Sequence, residues 1–394
     1  MSKKIFDILI IGDLAGNDII LAEQFSSKGL KCCVLRRGDK KNSLNKITPL
    51  PNYHKYFHPE EIIYYNSKFE FKKYLKQSCL IISFTGSVIS GLGPFLWLLR
   101  KILFLPPIIN ITTGSDITEL AVEKSINGFF YRQYLKSSSL NCCVSYPHAL
   151  KNIVRLKVEN VIFLPWPFNL IPQDKSSIKL PNPVIDNHPI SFFHPSNLDW
   201  KFNDSGEFRN SSKGNDRFIK AFARAIHNGL NAQCVILDRG PDKDIAKTLI
   251  SELNVEDKFI WKTHLSREEL FKEYQNCDVV VDQFDVGGFG GMAIEAMSLG
   301  KPLLMYCNEN CMKLVYNEFP PVLNCYTDDE IFQKIMSCED RNYLFKIGVD
   351  TLKWVNKYHN WDSYLNILLF HYTRLTGNFF TDYGWNNNLT KKSR

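Results

Sequence analysis

The sequence predicts an α/β protein of two doubly wound domains, and three observations carry that prediction. Apolar runs of strand length alternate with helical runs from the N-terminus onward, and the alternation resumes after residue 190. The first apolar run, "FDILIIG", leads into a glycine turn and then a helical run, as a parallel βαβ unit requires. Between the two series, residues 165–189 are proline-rich and polar with no clear period, which reads as a linker. A chain of 394 residues exceeds one typical core and suits two.

In the first half, "FDILIIG", "DLAGND", "IILAEQFSSKG" and "LKCCVLRRG" read as strand, turn, helix, strand. The segments "CLIISFTGS", "PPIINITTGSD", "LNCCVSYP" and "NVIFLPWP" read as further buried strands. In the second half, "PISFFHPS", "AQCVILDRG", "KFIWKTH", "DVVVDQF" and "PLLMYC" are strands. Between them lie the helices "GNDRFIKAFARAIHNG", "DIAKTLISELNV", "SREELFKEYQNC" and "MAIEAMSLG". Ser266 and Glu269 have capping-box spacing, and Gly229 is placed to end a helix. The expected boundaries are an N-terminal domain over 1–168, a linker over 169–189 and a C-terminal domain over 190–355. A helical segment over 356–394 could pack back against either domain, the N-terminal one being named first, with its last polar residues fraying.

Hydrophobic residues make up 44% and charged residues 23%, the balance of a soluble globular protein. The net charge of +7 is spread without blocks, which suits an anionic substrate or membrane surface and argues against nucleic acid. Eleven cysteines without a C-x-x-C pair read as buried free thiols in a reducing, cytoplasmic compartment. In Cys32-Cys33 and Cys142-Cys143, adjacent side chains should point to opposite sheet faces. The apolar run over residues 5–11 is short, holds Asp7 and is not a signal peptide. Residues 91–111 are broken by Arg100-Lys101 and Pro106-Pro107, too interrupted to span a bilayer. Two readings of that stretch stay open: a buried helix followed by a buried strand, or a patch resting on anionic lipid at the inner face of a membrane. Asp282 and Asp285 are not spaced as a D-x-D metal pair, and no ligand cluster accompanies them. No obligatory metal and no cofactor are expected.

The stretch "DQFDVGGFGGMAIEAMSLGKPLL", residues 282–304, concentrates the chemistry. Glycine admits positive φ and lets a ligand approach without a Cβ in the way. A helix start presents unpaired N–H groups and partial positive charge, which together cradle phosphate. The helix should begin near Gly290 or Gly291. Glu295 then shares a face with Gly291, where its carboxylate can accept hydrogen bonds from a ribose diol. Met292, Ala296 and Leu299 are expected on the core face, and Gly300 with Lys301-Pro302 should end the helix. The competing structural reading is a tight turn followed by an ordinary glutamate.

Here the residues carry a resemblance. Gly288-Phe289-Gly290, Glu295-Ala296-Met297 and Gly300-Lys301-Pro302 together resemble the signature region of family 4 glycosyltransferases of the GT-B fold. Lys213-Gly214, "LDRGP" and "NVIFLPWPFNLIP" extend the resemblance, which is specific over residues 190–305 and only architectural over 1–160. It implies two Rossmann-like domains facing a cleft and a retaining transferase that uses a nucleotide-diphosphate sugar. It further implies that Glu295 holds the donor ribose, that Gly288, Phe289, Gly290, Gly291 and Met292 line the donor, and that Lys213 neutralises the diphosphate. Gly12 and Gly16, from the first glycine loop, would approach the donor phosphate. Two departures stand out: Gly287 occupies the place of a second family acid, for which Asp285 is the nearby substitute. Asn197 stands near the family's arginine, for which Arg209 or Arg239 are candidates.

Other candidates follow from position beyond strand ends. His194 and Ser196 lie on the C-terminal rim with Arg239, Gly240 and His264, and His194 reads either as a ligand to donor or acceptor or as a packed histidine. Asp116, in "TTGSD", either orients an acceptor hydroxyl or caps the next helix. His148 and Trp261 read as structural first. The expected partners are a nucleotide sugar and a glycan or lipid-linked acceptor in polysaccharide or glycoconjugate synthesis. The rivals are a non-catalytic nucleotide-sugar or partner-binding protein on the same fold, a sugar-nucleotide epimerase or a phosphorylase. A nicotinamide-dependent enzyme is the outside option, since "GDLAG" lacks the fingerprint spacing.

Overall fold

The computed structural model describes residues 4–12, 17–37, 57, 61–65, 68–84, 102, 105–112, 114–165, 180, 188–200, 212–263 and 265–378. The first domain runs β1 (Phe6–Ile11), α1 (Asn17–Ser27), β2 (Cys32–Arg37), β3 (Ile62–Tyr65), α2 (Lys68–Lys76), β4 (Ser78–Phe84) and β5 (Ile108–Ile111). It continues through α3 (Ile126–Ser137), β6 (Leu140–Cys143), α4 (Pro147–Leu156) and β7 (Val161–Phe163). Its seven strands pair in parallel in the order β3-β2-β1-β4-β5-β6-β7. The sequence reading did not name β3 or α2: "IIYY" is short and lacks the glycine punctuation that marks its neighbours.

Alternation along each strand feeds two cores. Ile8 and Ile10 face one layer with Cys32 and Cys142, while Leu9 and Ile11 face the other with Cys33 and Cys143. The two cysteine pairs therefore split across the sheet as expected, and all eleven thiols are free. A row of buried polar side chains fixes the register of the inner strands. Ser83, Asn110 and Asn141 sit opposite one another on β4, β5 and β6, and Asn110 Nδ2 donates to Asn141 Oδ1 at 3.0 Å. A one-residue slip would bury these groups unpaired.

The second domain runs β8 (Ile190–His194), α5 (Asn215–His227), β9 (Ala232–Leu237), α6 (Lys243–Glu252), β10 (Phe259–Lys262), α7 (Arg267–Asn276), β11 (Val279–Val281) and α8 (Gly291–Ser298). It closes with β12 (Leu303–Met305), α9 (Glu309–Lys313), β13 (Leu323–Asn324), α10 (Asp328–Ser337) and α11 (Arg341–Tyr358). Its six strands are parallel in the order β10-β9-β8-β11-β12-β13. Ser266 and Glu269 form the capping box of α7, and Thr327 with Glu330 forms a second one at α10. Gly300 takes up φ +70° just past the end of α8.

After α11 the chain returns to the first domain as α12 (Trp361–Thr376). Tyr364, Leu365, Leu368, Leu369 and Tyr372 of this helix enter the layer that contains Ile8 and Ile10. The C-terminal helix is thus part of the first domain's core rather than an appendage. No helix of the described residues is long and apolar enough to cross a membrane. All of the stretch over 91–104 except Ile102, the polar tail over 379–394 and almost all of the linker lie outside the described residues. Leu368 is fully buried between the domain-crossing helix and the sheet. Leu368→Ala is expected to cost about 2–5 kcal/mol of stability, read by urea unfolding.

Candidate functional site

Each sheet reverses its strand order once, between β1 and β4 in the first domain and between β8 and β11 in the second. Ligands in open parallel sheets bind beyond the carboxyl ends of the strands at such reversals. In the second domain that crevice is floored by the residues that follow β8 and β11. The turn after β8 is zipped to the turn after β9: Leu198 N–H donates to the Arg239 carbonyl and Asp242 N–H donates to the Leu198 carbonyl, both at 3.0 Å. A Cβ on Gly240 would lie 2.4 Å from the Leu198 backbone, so only glycine fits there.

Beyond β11 the chain enters the glycine segment. Gly290 is the N-cap of α8 and no side chain caps the helix, so its first amides are directed at the crevice. Lys213, just before α5, donates through Nζ to Gln283 Oε1 at 2.9 Å, and Gln283 Nε2 donates to the Gly288 carbonyl at 2.5 Å. The lysine and the glycine loop are thereby tied together. Phe284 N–H also donates to the Lys213 carbonyl at 2.8 Å. Glu295 is buried on α8, one turn inside the helix. Arg239 reaches the first turn of the same helix, its Nη2 donating to the Pro195 carbonyl at 2.5 Å and lying 3.3 Å from Met292 Sδ. Met292 therefore faces Arg239 rather than the core. The core face expected through Met292 is supplied instead by Ala293, Ile294, Ala296, Met297 and Leu299.

Several other candidates prove to be engaged by the protein itself. His194 is completely buried, its ring tilted on Phe218 at 5.5 Å and its Nε2 3.0 Å from Asn215 Nδ2. It supports the start of α5 from below, and does not open onto the rim, because β8 turns its side chain into the apolar layer. Burial, aided by the nearby Lys213 and Arg239 cations, pushes its pKa down to about 4. Asp116 is likewise buried, and its Oδ1 accepts from the Gly114 and Ile117 amides at 3.0 Å each. These bonds fold the 114–117 loop around the carboxylate; Ser115, not Asp116, is the N-cap of the helical turn that follows, and it makes no side-chain cap bond. Asp285 accepts from Ser212 Oγ at 2.7 Å and pairs with Arg217 at 3.2 Å, so it is held toward α5 rather than toward the glycine loop. Phe289 packs against Tyr316, Trp354 and His359, anchoring the loop in the core. Asn197 is exposed beyond β8, His148 is exposed on α4, and Trp261 packs on the core with Lys247 5.2 Å above its ring. Gly12 ends β1 with φ +89°, while Gly16, Arg209 and His264 lie outside the described residues.

Sequence reasoning missed two features of this site. Ser196 Oγ–H donates to Asp282 Oδ1 in a short hydrogen bond, bridging the ends of β8 and β11 across the crevice. The signal for it in the sequence is a carboxylate directly after an apolar strand. The second is a seam between the domains. Gly287, with φ +75°, is tightly enclosed: a Cβ would lie 3.1 Å from Pro147 Cδ and from Tyr306 Cε1. A Cβ on Gly288 would lie 3.1 Å from Tyr146 Cβ and 3.2 Å from the Ser145 carbonyl. Ser145 Oγ–H donates to the Cys311 carbonyl at 2.7 Å. On its other side, Tyr146 Oη would stand 2.6 Å from a Cβ on Gly114, and burial pushes its phenol pKa upward. Gly287 is therefore crowded from both sides, by Pro147 of the first domain and by Tyr306 and Asn308 of the second.

Comparison with known proteins follows the same division. Residues 205–342 match the family model for glycosyl transferases group 1. Over 106 residues the chain is 29% identical to an uncharacterized glycosyltransferase of Methanocaldococcus jannaschii, covering 27% of this chain. The match spans only 27% of the length of that curated relative. Among solved structures, the fold is similar to HepE of Anabaena in complex with UDP and glucose, with a TM-score of 0.66 at 15% identity over 94% of this chain and all of that one. It is also similar to a glycosyltransferase from Rickettsia africae, with a TM-score of 0.64 at 16% identity over 96% of this chain and all of that one. A third is sucrose-phosphate synthase of Thermosynechococcus elongatus, with a TM-score of 0.59 at 14% identity over 94% and 99% of the two chains. The shared architecture is the GT-B arrangement of two Rossmann-like domains.

Two outcomes follow from this geometry. Because the folded His194 resists protonation, its contribution is fully present above the ordinary value of 6.5 and is lost as pH falls toward about 4. Between pH 7 and pH 5 this amounts to about 2 kcal/mol, and urea midpoints for His194→Gln should show a flatter pH dependence than the wild-type chain. Gly287→Asp, which restores an acid at the seam, should cost about 1–2 kcal/mol from its left-handed backbone alone. Crowding by Pro147 and Tyr306 adds to that cost, and the variant's urea unfolding measures the sum.

Proposed function

We propose that this chain is a retaining glycosyltransferase that moves a hexose from a nucleotide-diphosphate sugar to a glycan or lipid-linked acceptor, with family 4 as the finer assignment. The observation that carries the reading is the joined Lys213–Gln283–Gly288 chain beside the uncapped start of α8. It places a cation and unpaired amides around one crevice, the arrangement a diphosphate requires. The group 1 match over residues 205–342 covers this same region, which supports the reading. UDP is the first nucleotide to try, since HepE, of similar fold, was solved with it.

In the proposed mechanism Glu295 accepts hydrogen bonds from the ribose diol and the amides of Gly290, Gly291 and Met292 hold phosphate or sugar. Lys213 and Arg239 offset the charge that builds on the departing diphosphate, an effect that grows in a closed, dry cleft. Among the described residues no carboxylate is assigned as a nucleophile; in the proposed step the acceptor attacks from the face the phosphate leaves, and the departing phosphate takes its proton. No obligatory metal is proposed. The acceptor would enter from the first domain, and the site of action would be cytoplasmic, at or near the inner face of a membrane. The bare Gly287 favours one alternative, a nucleotide-sugar-binding protein without turnover.

Calorimetry with UDP, GDP, ADP, TDP and NAD tests the cradle. One nucleoside diphosphate should bind, and Glu295→Ala should weaken it by about tenfold or more. No binding to any diphosphate, or a preference for NAD, would sink the reading. Donor hydrolysis separates transferase from binder, an inverted anomer in the product would exclude the retaining mechanism, and loss of activity with EDTA would overturn the metal-free one.

A further inference from the structure

We propose that Asp282 is the carboxylate that reads a hydroxyl of the transferred sugar, reached past the bare Cα of Gly290; this rests on the nucleotide-sugar reading above. Asp282 directly follows β11 at the strand reversal and is only 3% exposed. Its Oδ1 is held by Ser196, which fixes the carboxyl plane. Its Oδ2 is buried and has no hydrogen-bond partner among the described residues. A buried acceptor left without a donor is costly, so the oxygen favours any group that brings one.

The approach to that oxygen is defined by one residue. A Cβ on Gly290 would lie 3.4 Å from Asp282 Oδ2 and is the contact that position would make. Gly290 has φ −91° and ψ 170°, a conformation open to any residue, so no backbone strain calls for glycine there. Its bare Cα instead sets no side chain against Oδ2, at the N-cap of α8.

The chemistry of the ligand follows from what surrounds the oxygen. A carboxylate repels phosphate, so the diphosphate belongs with Lys213 and Arg239, the cations of the crevice. A divalent ion would need more ligands, and no group of three His, Cys, Asp or Glu side chains is placed to hold one among the described residues. A neutral hydroxyl supplies the missing donor without adding charge, and a sugar presents several at once. The other acids near the loop do not compete: Gly287 has no side chain to offer, and Asp285 is committed to Ser212 and Arg217.

The test compares Asp282→Asn, Gly290→Ala and the wild-type chain by calorimetry with UDP, UDP-glucose, UDP-galactose and UDP-N-acetylglucosamine. Asp282→Asn replaces the free acceptor by a donor; Gly290→Ala keeps the carboxylate and its serine but sets a methyl over the oxygen. Asp282→Asn should bind UDP within about twofold of wild type and lose about tenfold or more in affinity for the preferred UDP-sugar, with preference among the three sugars flattened; Gly290→Ala should lower the ratio of UDP-sugar to UDP affinity by a similar factor. Unchanged sugar affinity and preference in both variants, with UDP binding intact, would overturn the role of Asp282 and leave the parent reading standing. A wild-type chain that binds no UDP would instead overturn the parent reading for this nucleotide, and this inference with it. Gly290→Ala decides the matter if thermal melting shows that Asp282→Asn does not fold.

Discussion

The close packing of the glycine segment on the turn Ser145-Tyr146-Pro147 is the contact on which the rest of the site depends. Gly287 and Gly288 give up their side chains so that the backbone of the second domain can lie against the first. The same turn reaches Gly114 through Tyr146 on one side and the Cys311 carbonyl through Ser145 on the other. Close-packed interiors leave no slack for an added methyl group at such points. The position of the loop before α8 is therefore set by both domains together. Helix α12, rooted in the first domain's core but arriving directly from the second domain's α11, joins them at a second place.

On this frame the crevice is electrostatically divided. Lys213, tied to the glycine loop through Gln283, and Arg239, against Met292 in the first turn of α8, bring positive charge to the crevice, and the buried His194 near both resists adding a third. Asp282 supplies the opposite sign under Gly290, held by Ser196. A ligand with a charged half and a hydroxylated half matches that division better than a uniform anion does. Preorganised groups of this kind favour charge redistribution at small reorganisation cost, because the protein has already fixed their dipoles.

Much of the fold was legible in local sequence, since strand length, alternation and helix ends are short-range properties. The start of α8 at Gly290, its stop at Gly300, the Ser266 capping box and the opposed faces of the paired cysteines all depend on neighbours within a few residues. Strand β3 escaped because a four-residue run without a glycine beside it carries little signal, and the nine-residue α2 that follows was not named either. The site was harder to read. Helical spacing puts Met292 on the core face, yet α8 is buried almost all round, and the spacing of apolar residues then loses its meaning. His194 and Asp116 stand at strand ends, as ligand residues do, but their side chains turn inward to serve α5 and the 114–117 loop.

The sequence by itself determined two parallel, doubly wound sheets, a glycine-led helix with one buried acid, and a lysine at the start of α5. Those follow from residue type and spacing along a single segment, and physical chemistry acts on them locally. Only the tertiary structure decided which polar groups meet. Ser196 and Asp282 are 86 residues apart, Lys213 and Gln283 are 70 apart, and Gly287 meets Pro147 across the domain boundary. Such pairings arise from strand order and domain docking, where a side chain's direction is fixed by packing around it. No spacing rule within one segment contains that information.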